Sequence, residues 1–165
     1  MSKMNFEEFL SFFPMVDLPV TLSDETIEIF SKNNKVIPLE GIIEFIGQWE
    51  EIEDDTTEFI PCFRLPDQDD FIGLIYWRGA IMQYDYFLVT LDKKGSLIAR
   101  KSIASTRVEN NVIKRSVSSI DNDLIIHIIA GASQEGYDYD PDQSQAFNME
   151  VMPTGDILFS FGEEG

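Results

Sequence analysis

Asp138, Asp140 and Asp142 alternate through Tyr137-Asp138-Tyr139-Asp140-Pro141-Asp142-Gln143-Ser144, the spacing of acidic oxygens that opens a calcium loop. A complete EF-hand loop also needs a turn glycine at its sixth position and a bidentate glutamate at its twelfth. Here those positions hold Gln143 and Met149, and Pro141 sits inside the loop. The segment reads as a solvated acidic hairpin loop, and a metal held by the three aspartates is expected to be weakly bound calcium. No other cofactor is expected.

His127, the only histidine, stands in the apolar run Leu124-Ile125-Ile126-His127-Ile128-Ile129. In a strand it shares a face with Ile125 and Ile129, as a packed or half-buried residue, and no nucleophile or orienting group can be assigned to it from sequence. Ser133 in Gly131-Ala132-Ser133-Gln134-Glu135-Gly136 resembles a nucleophile elbow, but the second glycine comes one residue late and no helix pattern follows. Cys62 between Pro61 and Phe63 has no neighbouring cation before Arg64 and reads as a small buried side chain. Glycine-rich phosphate loops and paired Cys/His metal spacings do not occur.

The remaining chemistry is that of recognition. Glu50, Glu51, Glu53, Asp54 and Asp55 place five carboxylates in six positions, an acidic field suited to a basic partner. Tyr76, Trp77, Tyr84, Tyr86 and Phe87, with Arg78 beside Trp77, are the residue types that anchor interfaces, and equally those that antiparallel sheets pair across strands. Trp77 and Arg78 join the acidic run as candidate interaction residues.

Charge is distributed as unevenly as these groups suggest. The net charge of −18 divides into about −13 for residues 1–77, +5 for 78–115 and −10 for 116–165. Within the basic strip, Arg100, Lys101, Lys114 and Arg115 are expected to be mainly exposed and loosely paired with carboxylates. So negative a chain repels nucleic acid and anionic membrane surfaces and meets basic proteins faster.

The elements that must hold these residues change period along the chain. Phe6, Phe9, Leu10 and Phe13 form one face of a short helix that Pro14 stops. Ser23 is the expected N-cap of a second helix, with Asp24 and Glu25 in its first turn. Leu39, Ile42, Ile43 and Ile46 suggest a third, and the acidic stretch after Gln48 an exposed boundary. Residues 59–65, carrying Pro61, read as an edge or irregular strand. Three hairpins follow: residues 72–77 and 84–91, broken at Arg78-Gly79, turning at Asp92-Lys93-Lys94-Gly95 into 96–103; 116–120 with 124–130; and 146–152 with 157–161 across Pro153-Thr154-Gly155-Asp156.

The fold class is therefore α+β: a mainly antiparallel β meander of three hairpins or more, with short N-terminal helices packed at one end. One domain is expected over 1–165, helical in 1–47 and sheet in 59–165. Thirteen Phe, five Tyr and two Trp supply enough burial to rule out a disordered chain. With one cysteine, no apolar run of membrane-spanning length and glutamates interrupting the N-terminal apolar stretch, a cytoplasmic location is expected. The function read from these features is a non-enzymatic acidic module, of inhibitor, immunity or adaptor type, that binds a basic protein. The alternative is a small-ligand-binding protein or enzyme whose pocket is lined by sheet aromatics, with Arg78 or Arg107 holding an anion.

Overall fold

The computed structural model describes residues 4–52, 56–134 and 145–161. It is α+β and mostly β, a nine-stranded antiparallel sheet with a few short helices near the N-terminus. Helix α1 (Phe6–Leu10) is capped by the Asn5 side chain, which accepts from the Glu8 amide at 2.8 Å. Strand β1 (Val20–Leu22) was not legible in three residues, and α2 (Thr26–Asn33) begins later than the Ser23 cap implied: its N-cap is Glu25. Ser23 instead donates its amide to Thr26 Oγ1 at 3.1 Å. α3 (Leu39–Gly41), a π-helical turn (Ile42–Ile46) and α4 (Gly47–Trp49) carry the chain to Glu50.

The strands then run in order: β2 (Glu58–Arg64), β3 (Ile72–Ala80), β4 (Gln83–Leu91), β5 (Leu97–Glu109), β6 (Val112–Ile120), β7 (Ile125–Gln134), β8 (Gln145–Val151) and β9 (Ile157–Phe161). β2 is an edge strand, as Pro61 requires, with a register shift between Pro61 and Phe63. β3 does not break at Arg78-Gly79; it pairs with β4 as far as Ala80↔Gln83. A hairpin missed in the sequence joins β5 to β6 through Asn110 and Asn111, both left-handed at φ 49° and 65°, the conformation of a two-residue turn that Asn tolerates.

β5 and β6 stay paired only between Ser105↔Ser116 and Glu109↔Val112. Beyond that, β5 continues alongside β4 while β6 takes β1 as partner, with Leu22 opposite Ser118 and Val20 opposite Ile120. The parting strands divide the sheet into two layers around a core that joins Phe63, Ile75 and Leu88 to Ile126, Met149 and Ile157. Thr90 on β4 ties the layers by donating to the Gly155 carbonyl in the β8–β9 turn, at 2.6 Å. Gly155 has φ +93°, and a Cβ there would lie 2.9 Å from Ile98 Cδ1, so only glycine seats this turn. The other face of β3 and β4 presents Leu74, Tyr76 and Val89 to Phe9, Phe13, Ile46 and Trp49, which makes the helical segment a third layer at the β2 end of the strand order. No described helix is long and apolar enough to cross a membrane.

Candidate functional site

Alternation along β3 decides what its neighbouring residues do. Tyr76 and Arg78 face the helical layer, whereas Trp77 faces the opposite way, so the sequence neighbours Trp77 and Arg78 belong to different sites.

On the helical side Glu50, expected to be an exposed interaction residue, is an internal one: its side chain is 7% exposed. Glu50 is four positions beyond the buried Ile46, and it leaves α4 pointing at the sheet. Its Oε2 accepts from the Tyr76 hydroxyl at 2.5 Å and from Arg100 at 2.6 Å. Arg78 Nε lies 3.1 Å from Oε1 in an ion contact without hydrogen-bond alignment. Arg100 also covers the Phe87 ring, 3.8 Å from its centroid. Its expected exposure is thus corrected: the Phe87↔Ser102 register turns Arg100 inward over this face. Asp85, opposite Arg78, is buried and accepts from Gln83 at 3.0 Å and Ser102 at 2.9 Å. Two arginines and two carboxylates make the cluster formally neutral.

Burial first, and then the Glu50 carboxylate, push the Tyr76 phenol well above its ordinary value. A group raised in this way contributes its full stability below the unfolded tyrosine value near pH 10 and loses it as pH climbs toward the folded value. Stability is therefore expected to fall above about pH 10, by on the order of 1 kcal/mol per pH unit from this residue. Urea titrations of wild type and Tyr76→Phe check this: the alkaline arm should flatten in the variant, and identical slopes would rule it out.

On the opposite face, Trp77 and Tyr84 stack in parallel, with ring centroids 5.5 Å apart and planes at 16°. Gly79 makes room for them: a Cβ there would meet Trp77 Cη2 at 2.3 Å, so the indole lies flat over the glycine. These rings floor a pocket of about 350 Å³, walled by Tyr86, Thr106 and Arg115 from the sheet and by Asp24 and Ile27 from the start of α2. Tyr86 fixes that wall by donating to the Ser23 carbonyl at 2.7 Å. Arg115 Nε is 3.3 Å from Asp24 Oδ2, both side chains being about half exposed. Glu25 and Glu28, close to Asp24 in the chain, are exposed. A larger groove of about 690 Å³ runs over Ile128, Phe147, Met149 and Phe159, with Lys114 at its rim, and meets the first pocket at Ser105, Arg115 and Ser116. Lys101 is exposed, and Lys114 pairs loosely with Glu109 at 3.6 Å, as expected of the basic strip.

The His127 side chain is half-buried, 50% exposed, and not packed in the core; its Nε2 meets Asp121 at 2.9 Å and its Nδ1 meets Asn148 at 3.1 Å, which engages both ring nitrogens. Cys62 is fully buried, and burial holds its thiol well above the usual value. The β7 backbone continues through Ser133 to Gln134, so there is no strand-to-helix elbow. Glu51 is exposed. Glu53, Asp54, Asp55 and the candidate calcium ligands Asp138, Asp140 and Asp142 lie outside the described residues. No protein-family model, curated protein or solved structure matches the chain.

Proposed function

We propose that this is a non-enzymatic interaction protein whose acidic surface captures a basic protein partner, through the face where Trp77 and Tyr84 meet Asp24, Glu25 and Glu28. The observation that carries the reading is the aromatic floor left accessible beside the Asp24 carboxylate: Tyr84 is 42% exposed and stacked on Trp77. Trp and Tyr supply contact area with few rotors to freeze, and a carboxylate rim steers a basic protein onto them. Because the Glu50 cluster is formally neutral, the whole net charge of −18 is carried by the rest of the chain.

The test is affinity capture from an extract of the native cells at low and high salt, followed by association kinetics with the partner identified. The association rate should fall about tenfold or more with salt, and again on reversing Asp24, Glu25 and Glu28 to lysine, with smaller changes in dissociation. Rates indifferent to both would remove the support for the reading. The alternative, a small-ligand protein, is favoured by the groove over Phe147 and Phe159 with Lys114 at its rim. Under that reading Lys114→Gln weakens an apolar anion and leaves the basic partner unaffected.

A further inference from the structure

We infer that the pocket over Trp77 and Tyr84 is a cation site that receives one guanidinium or ammonium side chain of the basic partner. The inference rests on the interaction reading and names the group that anchors it. Three observations fix the ligand's sign. The walls are the faces and edges of Trp77, Tyr84 and Tyr86, and aromatic faces attract cations through their quadrupoles. Asp24 contributes a carboxylate to the lining, and Glu25 and Glu28, near it in the chain, are exposed. The surrounding protein carries −18, which concentrates cations and excludes anions.

Arg115 opposes all three. It lines the pocket and occupies Asp24 at 3.3 Å, so an incoming cation competes with it for that carboxylate. Arg107 and Lys114 do not add to this opposition. They are register partners of each other, and neither lines this pocket; Lys114 lines the adjoining groove instead. Arg115 thus acts as a resident competitor. Its removal should strengthen cation binding, whereas in an anion site the same change would abolish binding.

The probes are tetramethylammonium and N-acetyl-arginine methylamide, with tert-butanol as a neutral control and benzoate as an anionic one, all at matched ionic strength. The readout is the pair of indole N–H resonances from the two tryptophans. Trp49 is buried in the helical layer against Tyr76, on the far side of β3, and serves as an internal control. Both cations should shift the Trp77 resonance saturably and leave that of Trp49 in place, with the neutral probe about tenfold weaker. Asp24→Asn and Tyr84→Ala should each weaken the cations several-fold, and Arg115→Gln should tighten them by about threefold or more.

Equal shifts from tert-butanol, or benzoate binding that is lost in Arg115→Gln, would overturn the inference. The two proposals fail separately. If a basic partner binds with the expected salt dependence while small cations leave Trp77 unmoved, the pocket is not the anchor. If small cations bind at Trp77 but no partner shows that dependence, the interaction reading is the one that falls.

Discussion

Glu50→Gln is expected to lower the stability of this protein by about 3 kcal/mol, which for a chain of this size is a melting temperature lower by roughly 6–12 °C. Glu50 is the only carboxylate in contact with both Arg78 and Arg100 among the described residues, and it also accepts the Tyr76 hydroxyl. The amide keeps the shape and one acceptor oxygen but removes the one carboxylate that both guanidinium groups contact, leaving Asp85 as the cluster's single counter-charge. Removing one member of a buried ion pair typically costs about 3–5 kcal/mol. The lower end applies because the arginine side chains are 30% and 22% exposed and can turn partly toward water. A control separates charge from packing: in an Arg100→Met background, Glu50→Gln should cost clearly less, since only one cation then remains to be balanced. Urea unfolding of the four proteins in the cycle measures both quantities. Additive losses, or a single-variant loss below about 1 kcal/mol, would show that the cluster is a surface-type pairing.

The same residue marks where the sequence could and could not be read. Glu50 opens a run of carboxylates, and composition alone assigns such a run to water. The opposing signal was its position four residues after Ile46 and eight after Ile42, on the face that buries Ile46. That signal was weak because the two isoleucines are the ends of a π-turn, which changes the helical period before α4 begins. The partners of Glu50 were not legible at all. Arg78 and Arg100 meet it only because β3, β4 and β5 pair in a particular register, including the shift that takes Tyr86↔Ala104 to Phe87↔Ser102 and leaves Ile103 over. Hairpins with strong turn chemistry, such as Asp92–Gly95, could be read directly, since the Asp92 carboxylate accepts the Lys94 and Ser96 amides. The β5–β6 hairpin was not legible because residues 105–115 are mostly polar and charged, with Val108, Val112 and Ile113 the only apolar residues and no regular alternation of them, despite the Asn-Asn turn at its tip. Trp77 was identified from residue type alone. Its companions Asp24 and Arg115 were not, because a segment preceding α2 and a strand far along the chain meet only through the β1–β6 pairing and the β5–β6 ladder.

Phe9→Ala should cost as much as Glu50→Gln, by a different mechanism and with a different consequence for binding. Phe9 is fully buried; it stacks on Phe45 at 4.4 Å, meets Trp49 edge-on at 5.7 Å and touches Phe13 at 5.2 Å. α1 has five residues, too few to be helical alone, so this fully buried ring, with Phe6 and Leu10 packed against the same core, holds it on the sheet. Truncation leaves a cavity walled by aromatic side chains that cannot collapse into it, and such Phe→Ala changes cost about 3–5 kcal/mol. Since Phe9 and Tyr76 share the helical side of β3 while Trp77 faces the other way, the cavity opens behind the sheet and not under the pocket. Phe9→Ala is therefore expected to lower the urea midpoint markedly, while the affinity of tetramethylammonium for the Trp77 face, measured in buffer where the variant remains folded, stays within about twofold of wild type. Loss of cation binding in a folded Phe9→Ala protein would mean that the helical layer shapes the Trp77 pocket through the sheet, and that the two faces of β3 are not energetically separate.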